Sequence, residues 1–407
     1  MASSHAVGNY DQYPDRNGGR IWTYGRMDVW TLEENRFWLS QFTFHRWRNR
    51  MKAVRFHGKR DIRVEEVVAP EKPLADDDVL VRPLVCGICG TDLHEYIGGP
   101  IVTPKTPHAY SGATLPQILG HEFSAEVMDV GRAVKHVSPG DRISVQPLVS
   151  PRDDYFGRRG LFHLSPCQAC IGLSWKWGGM GQQAVIKGYN AIPVPKKLTD
   201  AQAAMLEPAA VSLYALDRGR VTTGSTVLIS GLGPIGALAL LGAKAAGASR
   251  IFVAEVNSNR LRKASELVPD CIAIDPSKIN LLEAIRDQTE EGVGVDTAIE
   301  CVGLEKSLNA CVDAVRPQGV VVQAGLHSSL ATVDAMKWAL KDITVEATWC
   351  FPTYSFPRVA AMIESGVLPV EKVATAQIDM DNVVRDGFEA LLDPSGNHLK
   401  ILVKVGE

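Results

Sequence analysis

Two short stretches hold side chains able to do metal and proton chemistry. "CGICGTDLHEY" (86–96) and "GHE" (120–122) bring thiols, imidazoles and carboxylates into one part of the chain. That mixture suits zinc, a Lewis acid that lowers the pKa of an alcohol toward neutrality so that its carbon can release hydride. A hydride acceptor is indicated independently. Gly231-Leu232-Gly233-Pro234-Ile235-Gly236 follows the run "TVLIS" and opens the apolar run "ALALLGAKAAGA". In such a turn Gly231 allows the tight bend, Gly233 lets a pyrophosphate approach the backbone, and Gly236 permits close packing of helix on strand. The helix N-terminus then offers free N–H groups to the phosphates. Glu255, nineteen residues after Gly236, stands where a carboxylate accepts from both ribose hydroxyls of an adenosine. The same carboxylate would repel the extra phosphate of NADP, and neither Arg nor Lys occurs in "EVNSN", so NAD is the expected cofactor.

The elements that must hold these residues fall into two patterns. From about 51 to 200, short β-branched runs ("DDVLVRPLVC", "AEVMDVG", "GDRISVQPLV") alternate with Gly, Pro and Asp turns, which predicts an irregular, β-rich domain. Thr199-Asp200-Ala201-Gln202 is a capping box ahead of an apolar helix and marks a junction. Beyond it, "TVLIS" (226–230), "RIFVAEV" (250–256), "CIAID" (271–275), "VDTAIECVG" (295–303), "GVVVQAGL" (319–326) and "ITVEATW" (343–349) read as strands with helical stretches between most of them. Six such strands predict a doubly wound parallel sheet, and so an α/β fold. The tail from about 350 ends in the strand-like "LKILVKV" and is expected to rejoin the first domain. The division expected is therefore 51–205 with 350–407, and 206–349, after an atypical leader over 1–50 that carries four of the eight Trp and no Lys.

Composition narrows the function classes. A formal charge of -3 gives no basis for a nucleic-acid or membrane-surface role. No run approaches the length of a membrane span. Eight cysteines, scattered except for Cys86/Cys89 and Cys167/Cys170, do not form a disulfide framework and favour a reducing compartment, the cytoplasm. A small-molecule partner is expected.

Taken in order, "CGICGTDLHEY", "GHEFSAEVMDVG", "GLGPIG" and "ECVG" resemble the zinc-containing medium-chain dehydrogenase/reductase superfamily. Within it, "DLHEYIGGPIVTPK", the wide gap before "LPQILGHE", and "LEPAAVSLYAL" resemble the 2,3-butanediol dehydrogenases, with sorbitol and other polyol dehydrogenases next. The likeness covers roughly 51–407 and implies a GroES-like catalytic domain beside a Rossmann domain. It implies a catalytic zinc held by Cys89 and His121 with a carboxylate, either Glu122 of "GHE" or Glu207 of "EPAAVS". One thiolate, one carboxylate and a neutral imidazole balance Zn2+ and leave a fourth position open, as a catalytic site requires. Thr91 and His94 are implied as a proton relay, Glu122 as a further catalytic group, Asp92 as a partner that orients His121, and Cys86 as a packed thiol. The implied reaction is hydride transfer between NAD and a secondary alcohol, a vicinal diol or hydroxyketone such as 2,3-butanediol or acetoin. A sorbitol- or xylitol-type polyol dehydrogenase is the alternative, and an inactive nucleotide-binding protein is the alternative from another class. A homodimer or homotetramer is compatible with the resemblance.

Two departures stand out. In the relatives the "PCxxC" step continues through a loop with further Cys, whereas Cys170 runs straight into "IGLSWKWGG" and the next cysteine is Cys271. The structural zinc is therefore expected to be lost, with His163, Asp153 and Asp154 the nearby donors that would have to replace the missing ligands. Exposed apolar surface should accompany the loss. The second departure is Ala125 in "GHEFSAEV", in place of the relatives' Gly, which is expected to crowd a turn.

Overall fold

A computed structural model describes residues 49–406, so the expected leader lies outside the described residues except for its last two. β1 (Arg50–Gly58) and β2 (Asp61–Val68) meet at a tight turn where Arg60 takes φ 58°. β3 (Asp78–Gly87) is apolar along most of its length and almost continuously buried, as a central strand must be. Pro83 has no N–H to give the ladder, and the pairing register slips between Pro83 and Val85. Next come β4 (Gln117–Ile118), β5 (Glu122–Val130), β6 (Arg142–Val145), β7 (Leu148–Val149), β8 (Ala169–Cys170), β9 (Ala184–Lys187) and β10 (Ala191–Pro193). Ala125 lies within β5, fully buried opposite Pro83, so the expected crowded turn is instead a packed strand position.

The capping box forms as read. The Thr199 hydroxyl accepts from the Gln202 amide at 3.1 Å and the Gln202 side chain accepts from the Thr199 amide at 3.0 Å. The short helix Asp200–Ala204 then gives way to the helix Leu206–Arg218. All six strand-like runs become strands: β11 (Thr226–Ser230), β12 (Arg250–Ala254), β13 (Ile272–Ile274), β14 (Val295–Glu300), β15 (Val315–Gln323) and β16 (Thr344–Ala347). They pair in parallel in the order β13-β12-β11-β14-β15-β16. Successive side chains of β11 go to opposite faces: Val227 and Ile229 join one core, Leu228 another. Both faces are thus covered, as a parallel sheet demands. The order reverses between β11 and β14, and a ligand crevice is expected beyond the strand ends at such a switch point.

After this sheet the chain returns to the first. β17 (Ala374–Asp379) and β18 (Lys400–Lys404) complete a sheet ordered β10-β6-β5-β3-β18-β17, with β9 also paired to β3. The fold is a β-rich GroES-like sheet joined to a Rossmann sheet. Among the described residues no helix is long and apolar enough to cross a membrane.

Candidate metal and cofactor site

The metal-binding candidates are assembled by one strand pair. β3 and β5 run antiparallel with Gly87 opposite Glu122 and Cys86 opposite Phe123, so the residues just past β3 and just before β5 emerge together. Cys89 caps the helix Gly90–Gly98, and Asp92, at the third helical position, accepts from the Cys89 amide at 3.0 Å. Ligand atoms of Cys89, His121 and Glu122 all lie within 4.8 Å of one another. His121 Nδ1 is 3.7 Å from Asp92 Oδ1, and both atoms are buried with no hydrogen-bond partner. This is the arrangement of an imidazole whose other nitrogen is meant for a cation, with a carboxylate behind it to orient the ring.

Glu122 is also tied from behind. Lys400, the first residue of β18, donates from Nζ to both Glu122 oxygens at 2.7 and 2.6 Å and to the Ile88 carbonyl at 2.9 Å, and both side chains are 1% exposed. Burial alone would lower the Lys400 pKa, yet Glu122 holds it above the ordinary lysine value. A side chain at Gly87 would collide with Glu122 Oε2, so the glycine is what lets this pair form. The sequence reading missed Lys400. Glu207 sits in the first turn of the helix Leu206–Arg218, outside the three-residue cluster but within its field. Burial pushes its carboxyl up to about 8 against the opposing pull of His121, and Glu122 adds to the rise. The Cys89 thiol is likewise pushed well up, by burial first and Glu122 next.

A cleft of about 980 Å³ opens between the helix Gly90–Gly98, the helix Leu206–Arg218 and the segments after β15 and β16, lined by Thr91, His94, His163, Tyr214, Leu326 and Trp349 among others. Thr91 and His94 are three residues apart on one helix and share a face. The Thr91 hydroxyl accepts from the Cys89 thiol at 3.8 Å, and His94 is exposed. Glu207, Tyr214 and Arg218 follow one another down one face of their helix at spacings of seven and four residues. Glu95, unremarked in the sequence, is fully buried and its carboxylate accepts from the amides of Ile101, Val102 and Thr103, fixing the loop that forms one cleft wall.

The glycine turn at 231–236 is tightly built. Gly231 takes φ 93°, and a Cβ at Gly236 would strike the Gly231 carbonyl, whereas one at Gly233 would meet nothing within 4 Å. Gly233 caps the helix Pro234–Ala245, whose N-terminus faces the turn. Glu255 follows β12 directly, and its carboxylate accepts from the amides of Leu232 and Asn257, each at 2.8 Å. Gly231, Gly233, Glu255, Arg260, Ser277 and Val302 line one pocket.

Residues 75–196 match the alcohol dehydrogenase GroES-like domain and residues 234–365 the zinc-binding dehydrogenase family. A (R,R)-butanediol dehydrogenase of Neisseria gonorrhoeae is 34% identical over 355 residues, covering 87% of this chain and 99% of that protein. The chain belongs to the zinc-binding dehydrogenases. The sorbitol dehydrogenase of Homo sapiens is 32% identical over 86% of this chain and 94% of its own. The crystal structure of 2R,3R-butanediol dehydrogenase from Bacillus subtilis superimposes with a TM-score of 0.81 at 33% identity, covering 87% of this chain and 99% of that one. A putative zinc-binding dehydrogenase from Sinorhizobium meliloti, bound to NADP, gives 0.77 at 28% identity, covering 87% of this chain and 99% of that one.

For a zinc-binding dehydrogenase the donor set here fits a divalent zinc ion: thiol, imidazole and buried carboxylates converge, with an orphaned His121–Asp92 pair behind the ring. The second cysteine pair behaves otherwise. Cys167 is exposed and Cys170 buried, and neither joins a group of three metal donors among the described residues. Asp154 is spent on the Ser165 hydroxyl and the Gly157 amide, and His163 lines the cleft. Tyr155 and Leu164 nearby are exposed.

Proposed function

We propose that this zinc-binding dehydrogenase transfers hydride between NAD and the secondary alcohol of a vicinal diol or hydroxyketone, with 2,3-butanediol and acetoin as the leading pair. The single observation carrying the reading is that Cys89, His121 and Glu122 converge, with Glu207 in their field, next to a cleft that Thr91 and His94 line. Cys89, His121 and Glu207 would hold zinc, while Lys400 keeps Glu122 behind them. Zinc would supply Lewis acidity toward an alcohol oxygen, and NAD would accept the hydride. Thr91 would take the hydroxyl proton and hand it toward His94, which is exposed and exchanges with solvent. Gly231, Gly233 and Gly236 would admit the pyrophosphate, and Glu255 would turn from the loop amides to the ribose hydroxyls. Arg260 shares that pocket, so the preference for NAD over NADP rests on Glu255 outweighing it.

The relatives' names support both diols and sorbitol as substrates. Apolar cleft residues favour a substrate with alkyl ends over a longer polyol: Ile97, Ile101, Val102, Leu164, Leu326 and Trp349 all leave more than a third of their surface exposed. We further read residues 51–205 with 350–407 as the catalytic domain and 206–349 as the nucleotide domain. No structural zinc belongs to Cys167 and Cys170, and eight unpaired cysteines support a reducing, cytoplasmic setting. The test is metal analysis together with reduction of NAD and NADP on 2,3-butanediol and sorbitol. One zinc per chain, a preference for NAD and faster turnover of the diol are expected. Two zincs would refute the reading of the second cysteine pair, and absence of both zinc and turnover would sink the enzyme assignment.

A further inference from the structure

The segment ahead of Cys167 delivers a buried histidine to the cleft. His163 sits in the single turn Phe162–Leu164, is 2% exposed, and meets the Tyr214 ring edge-on with centroids 6.0 Å apart. Its Nδ1 is buried without a hydrogen-bond partner. A core position would be filled better by an apolar ring, since an unsatisfied buried nitrogen costs free energy. Burial with no acidic partner lowers the His163 pKa and keeps the ring neutral, with one donor and one acceptor nitrogen. Of the other polar groups lining the cleft, His327 also has a buried Nε2 without a hydrogen-bond partner but keeps Glu300 3.6 Å away, and three more are engaged. Glu95 holds three loop amides, Arg218 pairs with Glu346, and Gln323 donates to the Gly325 carbonyl.

We propose that His163 determines specificity by hydrogen-bonding the second oxygen of the substrate, the hydroxyl or carbonyl on the carbon next to the reacting one. The inference rests on the dehydrogenase reading above and adds a selection rule: a substrate lacking the second oxygen leaves a buried imidazole unpaired. Tyr214 supports the ring and, through its helix, ties this subsite to Glu207 two turns earlier. His163 makes and breaks no bond. It is a positioning group.

The experiment compares 2,3-butanediol with 2-butanol on the zinc-loaded enzyme and its variants. His163→Phe, which keeps the aromatic contact with Tyr214, should lower the diol-to-alcohol ratio of kcat/KM by about tenfold or more, chiefly through the KM of the diol. His163→Gln, which retains a donor and an acceptor, should recover part of the ratio. A ratio unchanged in both variants, whether activities fall together or stay level, overturns the proposal and leaves His163 a packing residue. If the Phe variant is insoluble, His163→Leu takes its place, and an unchanged ratio in that variant overturns the proposal. Wild-type enzyme that turns over both substrates with equal efficiency defeats the role of His163 only. Wild-type enzyme that turns over neither defeats the dehydrogenase reading and this one with it.

Discussion

Cys86/Cys89 and Cys167/Cys170 have identical spacing, and each pair contains one thiol that is fully or almost fully buried. Their surroundings differ. The first pair ends a central strand whose antiparallel neighbour delivers His121 and Glu122 to the same spot, and a third strand brings Lys400 behind them. The second pair ends in a two-residue strand facing Leu148 and Val149, which have no donor to offer. Two thiols at this spacing can reach one ion, but whether they form a site is decided by what the adjoining strand supplies.

This contrast can be broken most sharply by removing one thiol from each pair. Cys89→Ala should abolish zinc binding and lower turnover at least about a thousandfold. Cys167→Ala should leave zinc per chain unchanged by metal analysis, and equal zinc loss in both variants would erase the distinction. A smaller effect should follow from stripping the first pair of its support. Lys400→Met leaves the Glu122 carboxylate buried without its counter-ion, so chemical denaturation should report a loss of about 3–5 kcal/mol. A loss below about 1 kcal/mol would mean that the pair is not needed to hold the site.

The smallest effect concerns reactivity. Burial pushes the Cys170 thiol well above its ordinary value, with Cys350 the next cause, so at mildly alkaline pH little of it is thiolate, the reactive form. An alkylating reagent should therefore modify the exposed Cys167 first and reach Cys170 only on unfolding, as mass spectrometry of timed samples would reveal. Equal labelling rates would show that the second pair is an open loop.

Local signals in the sequence were sufficient for most of the frame. The short, largely apolar runs of the Rossmann sheet, the Thr199–Gln202 capping box and the Gly231–Gly236 turn depend on residues within one element, and each formed where read. Asp92 was also legible, because it lies three residues from Cys89 on the same helix. Lys400 was not, since 278 residues separate it from Glu122 and only the fold brings them together. Its signal was a lysine opening the apolar run "KILVK", which a strand buried in the middle of a sheet tolerates only with a buried partner. Arg260 lay one residue beyond "EVNSN" and was passed over because helix geometry, not sequence adjacency, carries it to the Glu255 pocket. His163 was considered only as a donor that could complete a metal site with Cys167 and Cys170, whereas it lines the cleft.

The late return of β17 and β18 to the first sheet has a consequence for synthesis. On the ribosome the strand leading to Cys89 is made early, but its Val85–Gly87 edge pairs with Leu402–Lys404, and Glu122 waits for Lys400. The Rossmann sheet lies wholly between them and can close as soon as β16 emerges. The domain that begins first is therefore finished last, and a nascent chain must carry an open strand edge and an unneutralised acid through that interval, the period in which it is most exposed to wrong pairing.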